Sequence, residues 1–355
     1  MPCSSRHRRR RLAPSGGWAS LHEDLVQLIG WQVLAAGELL DFTRFRAVCS
    51  GWNTGAVSPR GRGLADLRFH PRRWMMFPEG HGLYPGHPDL GGYVRFINLS
   101  SGDLVRIHLP LFHEHLVLDS TDGGLLLLLQ KHDAAVRLLH PFTGDVAEFP
   151  PFVSAAVAEA PKATQQLHHR VQFARRLPQR RLYRVAYATA GDQQWRLSAW
   201  TLPRLSARTM SFQGKLYAAA VVNRGDNNNV YIYQIDLQQS DAANGSQLLS
   251  LPKPKMIAKC PLVGAIGSAA HLVECGSELM LVGFADAAHE HLEVYRVADL
   301  ASGRVVPVTD IGEHAIFLLE RGVCVSPNNK GFPSVTSNTI ICKHTPTLQE
   351  VIFEA

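Results

Sequence analysis

Large apolar side chains between residues 18 and 53 recur at three- and four-residue steps, whereas from Tyr93 onward they gather in short runs broken by Gly, Pro and polar residues. The first pattern predicts helices and the second predicts strands. In the first, Leu21, Leu25, Leu28, Ile29 and Val33 form one stripe. Ser20 precedes it and Glu23 follows three residues later, the spacing of a capping box, with Asp24 adding charge suited to a helix N-terminus. Ala35-Ala36-Gly37 breaks the pattern, with Gly37 as the expected C-terminal cap. A second segment carries Leu39, Leu40, Phe42, Phe45, Val48, Cys49 and Trp52 at helical spacing. Two or three turns per helix cannot bury so wide an apolar surface within themselves, so the pair needs another surface to pack on.

The run Leu21-x-Glu23-Asp24-Leu25-x-x-Leu28-Ile29, then Leu39-Leu40, then Phe45-Arg46-Ala47-Val48-Cys49-x-x-Trp52, resembles an F-box over about forty residues. One departure stands out: the family usually has Pro after the first Leu, and here His22 takes that place, so the pre-set first turn is lost while every apolar anchor stays. The resemblance implies docking on a Skp1-type adaptor of an SCF ubiquitin ligase. It makes Leu21, Leu25, Leu28, Ile29, Leu39, Leu40, Phe45, Val48, Cys49 and Trp52 the candidates for that surface and its supporting core, with Trp52 as an anchor. On helical spacing some of them must hold the helices together. The competing assignment is a helical hairpin that only caps the domain behind it.

The strand-like region repeats loosely. Phe96 to Gly102 followed by Leu104 to Pro110, and Leu138 to Gly144 followed by Val146 to Pro150, are each an apolar strand, a turn closing on Gly, a second strand and a Pro exit. The two glycines lie 42 residues apart. A third copy is expected at Val294 to Gly303 with Val305 and Val306 after it, and a fourth at Tyr231 to Asp236 with a polar excursion from Gln238 to Gln247. Alternating with these are Gly-centred turns leading into apolar strands: Thr121 to Leu128, Phe212 to Ala218 and Cys275 to Val282. Antiparallel units of roughly 40 to 50 residues are the size of propeller blades. Four are distinct, near 93–115, 120–150, 212–250 and 274–306, and two are vaguer, near 165–205 and 317–353.

With the order Asn98-Leu-Ser-Ser-Gly-Asp, Leu139-His-Pro-Phe-Thr-Gly, Phe212-Gln-Gly-Lys-Leu-Tyr, Glu274-Cys-Gly-Ser-Glu-Leu-Met-Leu-Val and Asp310-Ile-Gly-Glu-His-Ala-Ile-Phe-Leu, the chain is similar to plant F-box proteins with a KIB-type β-propeller domain. The expected fold is thus α+β multidomain: a basic tail (1–17), a helical F-box (18–57), a connector (58–92) and a mostly antiparallel propeller-like domain (93–355). Within the connector a first strand is expected at Arg73 to Phe77, and Phe69, Trp74, Phe77 and Tyr84 are expected to pack onto something.

Composition narrows the function. At 355 residues, 46% hydrophobic and 19% charged, the chain is long and apolar enough for a substantial core. The formal charge is +6, but Arg6, Arg8, Arg9, Arg10 and Arg11 supply five of those charges in a tail, so the rest is close to balanced. That argues against a nucleic-acid partner, for which the segment QFARRLPQRRLYR is the best alternative candidate. The arginine run is compatible with a solvated tail, a nuclear-import patch or an organellar transit peptide. No membrane span is expected, since the leucine run 125–129 is far short of the ~20 residues required. Six scattered cysteines with no CxxC pair suit a reducing compartment, hence cytosol or nucleus.

No nucleophile elbow, metalloprotease helix, phosphate loop or dinucleotide fingerprint occurs, so no catalytic residue and no cofactor is expected. The pairs His113/His115, His168/His169 and His289/His291 lack a third ligand at recognisable spacing, and no metal is assigned to them. The expected mechanism is binding: adaptor on the helices, client protein on propeller loops. The alternative is a ligand- or glycan-binding propeller whose F-box is degenerate.

Overall fold

The computed structural model describes residues 17–35, 39–77, 83–121, 123–151, 164–167, 170–176, 183–203, 205, 209–224, 227–236, 251–261, 270–285, 291–318, 322–326, 335–344 and 347–352. The sequence expectations placed on Arg6 to Arg11, Gly37, His168, His169, His289 and Gln238 to Gln247 lie outside the described residues. Two compact units emerge, Met1–His70 and Pro71–Ala355. Their boundary falls inside the stretch expected to be a connector: Phe69 belongs to the first unit's core, and Trp74 begins a strand of the second.

Among its described residues the first unit has three α-helices where two helices were expected: α1 (Glu23–Ala35), α2 (Leu39–Arg46) and α3 (Ser50–Gly55). The expected second helix ends at Arg46 because the backbone turns at Ala47 to Cys49, with Cys49 extended ahead of α3. The capping box does not form. Ser20 instead donates its hydroxyl to the Gly17 carbonyl, and the His22 carbonyl accepts the first helical N–H groups, those of Leu25 and Val26. Helix α1 buries Val26, Gly30 and Leu34, at steps of four residues, against α2 and α3. An aromatic cluster closes the core, with Phe42 lying 6.5 Å from Trp31, 6.4 Å from Phe45 and 5.8 Å from Phe69 between ring centroids.

The described residues of the second unit form six sheets. The first holds β1 (Trp74–Phe77), β2 (Tyr93–Asn98) and β3 (Leu104–His108). The next is β4 (His115–Ser120), β5 (Leu126–Gln130), β6 (Val136–Leu139) and β7 (Val146–Phe149). The third is β8 (Thr164–Leu167), β9 (Arg170–Arg176), β10 (Tyr183–Thr189) and β11 (Arg196–Leu197). The fourth is β12 (Met210–Phe212), β13 (Lys215–Arg224), β14 (Asn227–Asp236) and β15 (Lys255–Cys260). In the fifth are β16 (His271–Cys275), β17 (Glu278–Phe284) and β18 (Leu292–Arg296). The sixth has β19 (Ala315–Leu318), β20 (Gly322–Val325), β21 (Thr339–His344) and β22 (Thr347–Ile352). In the first five sheets consecutive strands pair antiparallel; in the sixth the order is β20-β19-β21-β22, with β19 and β21 parallel.

Consecutive sheets stack face to face, and the strand pleat shows it. On β13, Leu216, Ala218 and Ala220 join a core with Val185 and Tyr187 of β10, while Ala219 between them joins one with Leu279 and Leu281 of β17. On β17 the alternate residues Met280, Val282 and Phe284 face Ile316 and Leu318 of β19. A strand buried on both sides reads as an unbroken apolar run, which is why Leu125 to Leu128 are all essentially inaccessible.

The two hairpins 42 residues apart are the same turn. Asn98 Oδ1 accepts the N–H groups of Ser100 and Ser101, and His140 Nδ1 accepts those of Phe142 and Thr143. In both, the fifth residue is Gly at positive φ and donates to the first residue's carbonyl, Gly102 to Asn98 and Gly144 to His140. The third expected copy is different. Val297–Ala301 forms a short helix, α4, whose Val297 and Leu300 are drawn into the core, and among the described residues the fifth sheet has three strands. Gly303 at positive φ ends that helix instead of turning a hairpin, so the same residue type serves a different element.

Candidate functional site

The ten F-box candidates separate by exposure. Leu39 and Phe45 are buried and hold the helices together. Trp52 is half-buried: its ring lies 4.5 Å from that of Phe45 and its Nε1–H donates to the Trp18 carbonyl at 2.9 Å. Both contacts tie it to the frame of the helical unit. Leu21, Ile29, Leu40 and Cys49 are half-exposed. Leu25, Leu28 and Val48 project into solvent, 48%, 57% and 61% exposed, and so does Trp18 at 73%.

Leu25 and Leu28 lie three residues apart on one face of α1, and Leu21 sits in the extended backbone just ahead of that helix. Leu21 N–H donates to Trp18 O, the carbonyl that Trp52 also reaches, and Gly51 of α3 lies close to both Ala19 and the Cys49 thiol. These exposed apolar side chains therefore belong to α1 and the turn ahead of it (Trp18, Leu25, Leu28) and to the turn ahead of α3 (Val48). Helix α1 is apolar nearly all round, so its core-facing Val26, Gly30 and Leu34 were missed when Leu21 to Val33 were read as its single stripe. Gly30 is the residue that chooses the buried face: a Cβ there would sit 3.2 Å from ring carbons of both Phe42 and Phe45.

Polar contacts frame this small core. Arg68 stacks its guanidinium 3.9 Å from the centre of the Trp31 ring and bonds both Asp66 carboxylate oxygens. That hydrogen bond holds the Asp66 carboxyl below its ordinary range. Arg46 donates to the Asn53 carbonyl at 3.2 Å, tying α2 to α3. The exposed Asp41–Arg44 pair contributes only about 0–1 kcal/mol.

Of the histidine pairs, His113 ends a 3-10 turn while His115 is buried, its Nδ1 2.7 Å from Leu111 O and its Nε2 3.1 Å from Arg137, so the two do not share a strand face. Among the described residues, the group able to hold a metal is Cys275, His314 and Cys324 in the β-unit. No spacing in the sequence signals it.

The sequence profile of the KIB1-4 β-propeller family matches residues 96–349, nearly the whole β-unit. The chain belongs to the KIB1-4 β-propeller family. No curated protein matches its sequence. Similar solved structures include the acylaminoacyl peptidase of Pyrococcus horikoshii, at 10% identity and a TM-score of 0.36 over 63% of this chain; this chain spans 36% of that one. A chain of a nidogen/laminin complex is 11% identical with a TM-score of 0.34, covering 74% of this chain and 82% of that one. The virginiamycin B lyase of Staphylococcus aureus is 12% identical with a TM-score of 0.36, covering 74% and 78%. No helix among the described residues of this KIB1-4 propeller chain is long and apolar enough to cross a membrane.

Proposed function

We propose that the chain is the substrate-recognition subunit of an SCF-type ubiquitin ligase: its N-terminal helices are an F-box that binds a Skp1-type adaptor, and its propeller holds a client protein. The observation that carries this reading is the exposure of Trp18, Leu25, Leu28 and Val48, large apolar side chains left in solvent by a unit that already has its own aromatic core. Exposed apolar groups concentrated in one small unit mark an interaction surface. A stable interface buries about 800 Å² per partner, within reach of three short helices. On this reading the chain does no chemistry itself. It tethers a client near the ligase's charged E2, raising the effective concentration of the client's lysines. The site of action is the cytosol or nucleus, where cullin-RING ligases work.

The test is co-purification of the full chain with a Skp1-type adaptor. Leu28→Asp combined with Val48→Asp is expected to abolish recovery of the adaptor while shifting stability by no more than about 0.5 kcal/mol, since both side chains are exposed. Val26→Asp, at 1% exposure, is expected to unfold the helical unit instead. Undiminished adaptor recovery with the double variant defeats the assignment.

A further inference from the structure

The fifth and sixth sheets meet at β16 and β20, and at that junction two thiols and an imidazole converge. Cys275 ends β16, Cys324 lies in β20, and His314 immediately precedes β19. Their Sγ and ring-nitrogen atoms all lie within 4.8 Å of one another, and the two sulfurs are 3.2 Å apart. We propose that Cys275, Cys324 and His314 form a zinc site that ties the fifth sheet to the sixth.

The chemistry of the donor set supports this. Two thiolates and one imidazole are ligands that Zn²⁺ favours, and three protein ligands leave its fourth tetrahedral position to water or to a group from a partner. Sulfurs on one tetrahedral zinc stand about 3.7 Å apart at a Zn–S distance of about 2.3 Å, so opening the present separation by about half an ångström admits the ion. His314 Nδ1 lies 3.2 Å from the Ile311 carbonyl. Donating there, the ring keeps its lone pair on Nε2, the second-shell arrangement of metal-binding histidines. Asn338, at positive φ, clamps the loop that bears His314: its N–H donates to the His314 carbonyl at 2.8 Å and its Oδ1 accepts from Ile311 N–H at 3.0 Å.

Cys324 donates its S–H to the Cys275 sulfur, so the two sulfurs share one proton. Zn²⁺ would take the place of the shared proton: both S–H protons leave to solvent, two Zn–S bonds form, and no electron moves. The backbones are held at this distance by packing, since a Cβ at Gly322 of β20 would lie 2.2 Å from a Val273 methyl of β16. A disulfide is the rival use of two close thiols, but it gives no role to His314 or to the Asn338 clamp.

The experiment uses the reduced, metal-stripped full chain titrated with Co²⁺ and Zn²⁺. Saturable uptake of about one ion is expected, with a thiolate-to-cobalt charge-transfer band and tetrahedral d–d bands that Zn²⁺ displaces. Cys275→Ser and Cys324→Ser are expected to lose the band, His314→Ala to weaken affinity at least tenfold, and Cys260→Ser to change nothing. On the unaltered chain, Zn²⁺ is expected to protect Cys275 and Cys324, but not Cys49, from alkylation. Absence of the charge-transfer band, or equal alkylation of Cys275 and Cys324 with and without Zn²⁺, overturns the proposal, whether or not a variant folds.

Discussion

At His271 of β16 a buried ring has no hydrogen-bond partner for Nδ1, and burial lowers its pKa from 6.5 to about 4. The folded state therefore keeps this ring neutral at a pH where the unfolded chain already binds a proton. Its contribution is intact above about pH 6.5 and is lost as pH falls toward 4, a change on the order of 3 kcal/mol across that window. His271→Leu is expected to flatten the stability profile between pH 7 and pH 4 in denaturant titrations. An unchanged acid slope would place the sensitivity elsewhere. Gly30 makes a second point at this scale: with Phe42 and Phe45 already at the closest tolerable approach, Gly30→Leu is expected to cost about 1–3 kcal/mol or more and to lower Tm. The sequence could not single Gly30 out, because a glycine amid helix formers looks like a weakness until its neighbours across the core are known.

Among the elements, the Asn98 and His140 turns carry the sharpest expectation. Each side chain satisfies two turn N–H groups, so His140→Ala leaves both without their acceptor and is expected to cost about 1–3 kcal/mol. His140→Asn restores the acceptor that Asn98 supplies in the other copy and is expected to recover most of that loss, as read by thermal unfolding. These two turns were legible as a 42-residue repeat because their polar residues act within the turn itself. The supposed copy at Val294 to Gly303 was not, because whether Val297 and Leu300 extend a strand or wind into α4 depends on the core they fall into, which includes residues of β13, β14, β15 and β17 distant in the chain. For the same reason the expected second helix gave way to α2 and α3: helical spacing of apolar residues persists across Ala47 to Cys49, but Phe45 and Trp52 must approach to 4.5 Å, and a straight helix would hold them apart.

For the whole molecule, the boundary at His70 and Pro71 separates two sets of core contacts. A chain beginning at Pro71 is expected to keep the strand-rich circular dichroism and cooperative unfolding of the β-unit while losing adaptor binding. Collapse of the β-unit in that truncation would mean the helices are part of its core.

What the sequence determined by itself is what depends on neighbours in the chain: a helical start, four distinct strand-rich units and two vaguer ones, and a surplus of apolar side chains near the N-terminus. Tertiary structure alone decided which of those side chains are used internally. Helix α1 is apolar on most of its circumference, so only the fit of Gly30 against two phenylalanines assigns Val26 and Leu34 to the core and leaves Leu25 and Leu28 in water. It alone also joined Cys275 to Cys324, 49 residues apart, because contact between stacked sheets follows from how their faces pack and leaves no periodic trace in the chain.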